Sequence, residues 1–363
     1  MFIECTKKLR DEMGITVEKP YEDKELFSWS ANLINIKRRK AVVLVNNSSR
    51  FGFVLFGLKS KDFKRLNELI LQGVRRCFQS EKIKEEIIEQ YLSDAGTICF
   101  SKTNGSRYVS RLNKACEVVG YFEELLDLEN IYQPKITRKL NADIIKIDKY
   151  NYKQPYELLL KDLKENYREN IVKCEGVKLV VKLDLGSYCA ERKIIIPIDI
   201  NFKELHEILQ ISFGWKNYHL YEFNVINEEG ENVLNVVSEH EDAFYPNGEY
   251  TVAIDSDTFI KDYIKKEYTI IYKYDFGDNW EHEIKVDFII HDYDKNYPTC
   301  IEGIKNAPPE DVGGITGYEK FLEIMSNPNH SEYEETKRWS DINWNKDFCI
   351  DLVNKRLKYA LRN

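Results

Sequence analysis

The residues with the most chemical potential lie close together in this chain. From Lys273 to Asp287 the sequence reads KYDFGDNWEHEIKVD, setting Asp275, Asp278, Glu281, His282 and Glu283 around a glycine and a tryptophan. A second histidine, His219, opens the alternating segment HLYEF, and Glu310 and Asp311 lie in PPEDVGG. Two histidines with carboxylates suit zinc, manganese or iron and leave a position for water. On this reading His219 and His282 are metal ligands, and Asp275, Asp278, Glu310 or Asp311 completes the set. The cofactor is a divalent transition metal and the activity a metal-assisted hydrolysis. It requires the strands of His219 and His282 to adjoin, and nothing in the spacing resembles H-E-x-x-H.

Two other readings compete for the same residues. In the structural one, Gly277 supplies a positive φ, Asp278 and Asn279 tolerate the turn, Asp275 accepts backbone N–H groups, and His282 faces the core. In the third, Trp215, Tyr218, Tyr221, Trp280 and Tyr318 line a concave surface for a protein or small ligand. Asp275, Asp278, Glu310 and Asp311 then stand at its edge. PPEDVGG is not a phosphate loop, because Glu310 and Asp311 would repel phosphate.

Charge separates the two halves. Residues 1–171 hold 31 Lys and Arg against 25 Asp and Glu; residues 172–363 hold 22 against 36. A nucleic-acid partner would therefore meet the first half. The candidates there are Arg38 and Arg39, within the run Lys37–Lys40, and Arg107, Arg111 and Lys114, which share one helical face.

These residues need elements to position them. In the first half, FIEC, WSANL, AVVLVN and GFVLFG read as strands, with NNSSR as a hairpin turn. The period then changes to helical in SKDFKRLNELILQGVRRCF and again in SRYVSRLNKACEVVGYF. This is an α+β domain over 1–126. Residues 127–171 read as a linker with a docking helix that starts at Pro155. The second domain spans 172–363. Its strands are VKLVVKLDL, KIIIPIDI, HLYEFNVI, YTIIYKYDF and WEHEIKVDFII, with FKELHEILQISFG as an amphipathic helix. The order suggests a β-grasp-like mixed sheet with a helix across one face. Residues 227–255 read as polar and turn-rich, and SDTFIKDYIKK as a short helix. On the hairpin, Tyr272, Tyr274 and Phe276 share one face of the first strand; Trp280, His282, Ile284, Val286 and Phe288 share one face of the second.

The start of the chain lacks the apolar stretch of a secretory signal, and AVVLV is far short of a membrane span of about 20 residues. The eight cysteines show no C-x-x-C spacing and read as reduced. The expectation is a cytoplasmic protein with no membrane partner.

Three successive stretches carry a family resemblance: FKELHEILQISFGWKNYHLYEF, YKYDFGDNWEHEIKV and CIEGIKNAPPEDVGGITGYEKFLEIMSNPNHSEYEE. Together, over about residues 172–350, they resemble the plasmid pRiA4b ORF-3-like family. CTKKL, SWSANL, the RRK before a hydrophobic strand, and SRYVSRLN are similar to a domain of unknown function found fused ahead of that module. The resemblance implies an α+β fold and an association with mobile elements, and brings no catalytic residues with it. Some members carry resolvase-like labels, but a serine recombinase needs an activated serine among arginines, and the second domain has few arginines. The function that results is a protein- or ligand-binding adaptor. The alternatives are the metal-dependent hydrolase and nucleic-acid binding through the basic half.

Overall fold

The apolar alternation in the first half does build strands. The computed structural model describes residues 1–15, 17, 24–186, 188–239, 250–344 and 347–362. Its backbone divides into two units, Met1–Lys173 and Cys174–Leu361.

The first unit runs β1 (Phe2–Cys5), α1 (Lys7–Met13), β2 (Ser28–Ile36), β3 (Arg39–Asn46), β4 (Gly52–Leu58), α2 (Ser60–Phe63), α3 (Leu66–Ser80), α4 (Glu85–Ala95), β5 (Cys99–Lys102) and α5 (Ser106–Tyr121). Then come α6 (Pro134–Ala142), β6 (Ile145–Lys146), β7 (Tyr152–Lys153) and α7 (Pro155–Tyr167). The main sheet has the order β4-β3-β2-β1-β5, with β1 parallel to both its neighbours. Both faces are covered. Trp29, Leu44 and Phe53 share a core with Ile70 and Val74 of α3, Tyr91 of α4, and Tyr156 and Leu159 of α7. Val43, Val45 and Phe56 face Leu112 and Val119 of α5 and Leu140 of α6. The 127–171 segment, expected as linker and docking helix, thus holds two helices and a two-stranded ladder belonging to the first unit.

The second unit runs β8 (Cys174–Asp184), β9 (Cys189–Pro197), α8 (Phe202–Phe213), β10 (Tyr221–Ile226), β11 (Asn232–Val237), β12 (Thr251–Ile254), β13 (Thr269–Tyr274), β14 (Trp280–Tyr293) and β15 (Thr299–Ile304). Helices α9 (Gly314–Ser326), α10 (Tyr333–Asn343) and α11 (Ile350–Leu357) follow. Eight strands form one sheet in the order β12-β11-β10-β13-β14-β8-β9-β15. Only the β11–β12 pair is parallel among them. The period of two in β8, β9, β10 and β13 buries one face and leaves the other partly exposed, as antiparallel sheets allow. The α+β class and the helix across one face stand; the finer β-grasp description is not confirmed by this eight-stranded sheet.

Helix α8 begins where sequence chemistry requires it. The Asn201 side chain accepts a hydrogen bond from the Glu204 amide at 2.8 Å, and the Glu204 carboxylate accepts one from the Asn201 amide at 3.0 Å. Such a box contributes about 1 kcal/mol. Gly214 ends the helix in a left-handed conformation. Between these caps Leu205, Ile208 and Leu209 join the sheet's core.

Three local expectations are corrected. SDTFIKDYIKK is not a helix beyond a single turn at Ile260–Asp262, because Phe259 bridges back to Asn201 and the Thr258 carbonyl takes the Phe202 amide. The polar 227–255 segment contains β11 and β12, whose short apolar runs are hidden among asparagines; residues 240–249 lie outside those described. Phe276 and Phe288 are exposed. Asp275, at φ 57°, ends β13 before Phe276, and a bulge between Val286 and Phe288 reverses the phase of β14. Among the described residues no helix is long and apolar enough to cross a membrane.

Candidate functional site

Three loops of the second unit meet: WKNYH after α8, the DFGDN turn between β13 and β14, and PPEDVGG before α9. Buried polar bonds join them. The Tyr274 hydroxyl donates to Glu310 Oε1 at 2.6 Å and accepts the Tyr218 amide at 3.0 Å. Glu310 Oε2 accepts the Lys216 amide at 3.0 Å, and Trp215 Nε1 donates to the Pro308 carbonyl at 2.9 Å. Burial, followed by the Glu310 carboxylate, pushes the Tyr274 phenol well above its ordinary range. Tyr274 therefore stays a neutral donor and Glu310 is an anchor.

The DFGDN turn is tight. Asp275 and Asn279 adopt φ 57° and 56°, and the Asn279 amide donates to the Asp275 carbonyl at 2.6 Å. The expectation that Gly277 carries the positive φ is thus corrected. Asp275 Oδ1 accepts the Gly277 amide at 2.9 Å and the Asp278 amide at 3.3 Å. Asp278 Oδ2 in turn accepts the Gly313 amide at 3.2 Å. Gly314 sits at φ 67°, and a Cβ there would lie 2.9 Å from the Asp278 carbonyl oxygen. Glycine is required because two loops touch backbone to backbone.

This framework brings His219, Asp275 and Asp311 together. His219 Nε2 is 3.5 Å from Asp275 Oδ2 and 3.3 Å from Asp311 Oδ1. One donor atom from each of the three lies within 4.8 Å of the others. Asp275 divides its labour: Oδ1 holds the turn while Oδ2 faces the imidazole. His219 Nε2 is shielded from solvent yet has no hydrogen-bond partner among the described residues. Donor atoms about 2.0–2.2 Å from a tetrahedral zinc stand about 3.3–3.6 Å apart, and the two separations from His219 Nε2, 3.5 and 3.3 Å, suit an ion bound there.

His282 belongs elsewhere. Strand β13 lies between β10 and β14, so the strands of the two histidines do not adjoin. His282 is 0% exposed, set edge-on to Phe213 and Trp215 at ring distances of 4.6 and 5.1 Å. Its Nδ1–H donates to the Tyr272 carbonyl at 3.3 Å. Burial pulls its pKa down to about 3, so it is a neutral core residue.

The aromatic candidates are also mainly core. Trp280 is buried, as is Trp215, which stacks on Tyr274 at 5.0 Å. Tyr221 stacks on His206 at 3.5 Å and donates to Asp255. Tyr318 is buried, while Tyr218 is exposed. A cavity of about 290 Å³ borders this assembly through Trp215 and Glu310 and is also lined by Arg192, Trp344 and Phe348.

His206 and Gln210 escaped sequence reasoning. Tyr272 O–H accepts from Gln210 at 2.9 Å and meets His206 Nδ1 at 2.8 Å; His206 Nε2 meets Asn217 Oδ1 at 2.7 Å. Burial lowers the His206 pKa to about 4, so the ring is neutral. The network then assigns the proton to Nε2, with Tyr272 donating to Nδ1. The signal was an i, i+4 polar pair within an apolar helix.

In the first unit several of the basic candidates are engaged within the protein. Arg38, at φ 60°, occupies the β2–β3 turn, and Arg39 donates to the Leu128 carbonyl. Arg107 pairs with Glu25 at 2.6 Å. Arg111 donates to the Asn47 carbonyl at 2.8 Å and borders a cavity with Lys114.

The two units match two different family models. Residues 175–352 match the model described as Plasmid pRiA4b ORF-3-like protein, and residues 2–158 that of a Domain of unknown function (DUF6933). The chain is 35% identical over 163 residues to "Uncharacterized protein y4hQ" of Sinorhizobium fredii, covering 45% of this chain and 79% of that protein. A crystal structure of a protein of unknown function from Methanosarcina mazei Go1 aligns at 28% identity with a TM-score of 0.43. That alignment covers 49% of this chain and 96% of the other.

Proposed function

We propose, proceeding from the fact that this chain belongs to the plasmid pRiA4b ORF-3-like family, that its second unit is a metal-dependent ligand-binding module. His219, Asp275 and Asp311 hold one divalent transition-metal ion, and the open coordination positions take water or an oxygen of the ligand. The observation that carries this reading is the spacing of the three donor atoms around an imidazole nitrogen left without a hydrogen bond. One histidine with two carboxylates suits zinc, manganese or iron. The supporting shell fits as well. Gly277 and Asp278 amides orient Asp275, and the buried Glu310 fixes the loop that carries Asp311.

The bound ion supplies a Lewis acid at the rim of the loops. The protein's own residues orient it: Tyr274 holds the PPED and KNYH loops in register, and Gly314 lets the DFGDN turn approach. The reading replaces the His219–His282 pair with a single histidine and two carboxylates. The adaptor role beside mobile elements, implied by the family resemblance, would be exercised through this site.

Zinc titration calorimetry on the full chain tests it. One ion per chain is expected, with affinity at least 10-fold weaker in His219→Ala and in Asp311→Asn while circular dichroism is unchanged. Wild-type affinity in both variants contradicts the proposal.

A further inference from the structure

The first unit contains an unbalanced cationic cavity of about 160 Å³. Its charged wall consists of Arg50, Arg111, Lys114 and Lys146, against one carboxylate, Asp143. Its floor is apolar, built from residues such as Val45, Val118 and Leu140. Four separate elements converge on it: the β3–β4 turn gives Arg50, α5 gives Arg111 and Lys114, β6 gives Lys146, and α6 gives Leu140.

The guanidinium groups are only partly used. Arg50 Nη1 donates to the Lys146 carbonyl at 3.0 Å, and Arg111 Nη1 donates to the Asn47 carbonyl at 2.8 Å. Among the described residues neither has a carboxylate within ion-pair distance. Both are half-buried, and burial lowers the pKa of each; Arg107 adds repulsion at both, and Arg50 at Arg111. Arg50 also holds φ 61°, an uncommon conformation for a side chain of this size, which turns the chain at the cavity.

We propose that this cavity is a binding site for a small phosphomonoester carried on an apolar body. Two arginines present planar forks that match phosphate oxygens, and the lysines add point charges at the rim. A dianion between them would relieve the repulsion and use the idle N–H donors, while the apolar floor would take the body of the ligand. The small volume, about 160 Å³, favours a small molecule over a nucleic-acid strand. Arg38, Arg39 and Arg107, which a strand would also need, are not among the lining residues.

The test is calorimetric titration of the full chain with phenyl phosphate, inorganic phosphate, benzyl alcohol and a single-stranded oligonucleotide. Phenyl phosphate is expected to bind at least 10-fold more tightly than inorganic phosphate, with benzyl alcohol silent. Arg50→Gln and Arg111→Gln should each weaken phenyl phosphate at least 10-fold. Lys114→Ala, an exposed change that leaves the fold intact, should weaken it several-fold. Absence of phenyl phosphate binding to the wild type overturns the proposal, as does undiminished binding in Lys114→Ala and the arginine variants. An oligonucleotide that binds more tightly than phenyl phosphate and displaces it overturns the small-ligand assignment.

Discussion

The two units leave opposite charges unpaired. In the second, two carboxylates approach an imidazole nitrogen that has no hydrogen bond; in the first, Arg50 and Arg111 repel one another at a cavity whose lining holds one carboxylate, Asp143, in ion-pair contact with neither. The contrast follows the composition, basic before residue 172 and acidic after it. It teaches that net charge, uninformative about fold, does point to the sign of what each unit can hold. A cation suits one site and an anion the other.

The strongest way to sharpen this contrast is acid. All six histidines lie after residue 173, so the first unit has none. His282 and His206 are held neutral, with pKa values of about 3 and about 4, below the ordinary value of 6.5. A depressed histidine pKa means that the unfolded chain binds more protons. The stability is therefore complete above about pH 6.5 and is lost progressively as pH falls towards 3 to 4. At pH 5 each histidine costs the second unit about 2 kcal/mol, or about 4 together. Urea midpoints read by tryptophan fluorescence should fall accordingly between pH 7.5 and 5, since four of the five tryptophans lie in that unit. A pH-independent midpoint over that range breaks the account of a neutral histidine core.

A smaller effect is expected from Tyr274→Phe. It removes the hydroxyl that serves Glu310 and the Tyr218 amide, leaving a buried carboxylate short of a donor, at about 2–3 kcal/mol. Zinc affinity should drop about 10- to 100-fold as the Asp311 loop loosens. Phenyl phosphate binding by the first unit should not change. An unaltered zinc affinity would mean that Tyr274 does not position the site.

The smallest change is Lys114→Ala. Chemical denaturation should show a stability shift within about 0.5 kcal/mol, because the side chain is exposed. Zinc affinity should stay at the wild-type value. A change in zinc affinity would show that the two sites are not independent.

Much of the second unit could be read from residues alone. The apolar periods of α8 and of β8, β9, β10 and β13 announced themselves, and His219, Asp275 and Asp311 each stood out singly by type. Their grouping did not. Period two places His219 and His282 on strands but says nothing about β13 lying between those strands, and this order removed the expected histidine pair. Strand β11 was obscured because Asn224 and Asn235 bond to one another across the sheet and read as loop residues. Arg50 went unnoticed because a lone arginine closing NNSSR looks like turn chemistry. Its neighbours Arg111 and Lys146 are distant in sequence and meet it only through α5 and β6.

The central claim is that His219, Asp275 and Asp311 hold a metal ion. Its most direct test is the native mass of the zinc-loaded full chain beside those of His219→Ala and His330→Ala. The account predicts one zinc per chain in the wild type and in His330→Ala, whose histidine lies outside the three-residue cluster, and none in His219→Ala. A zinc adduct retained in His219→Ala, or absent from all three proteins, would contradict it.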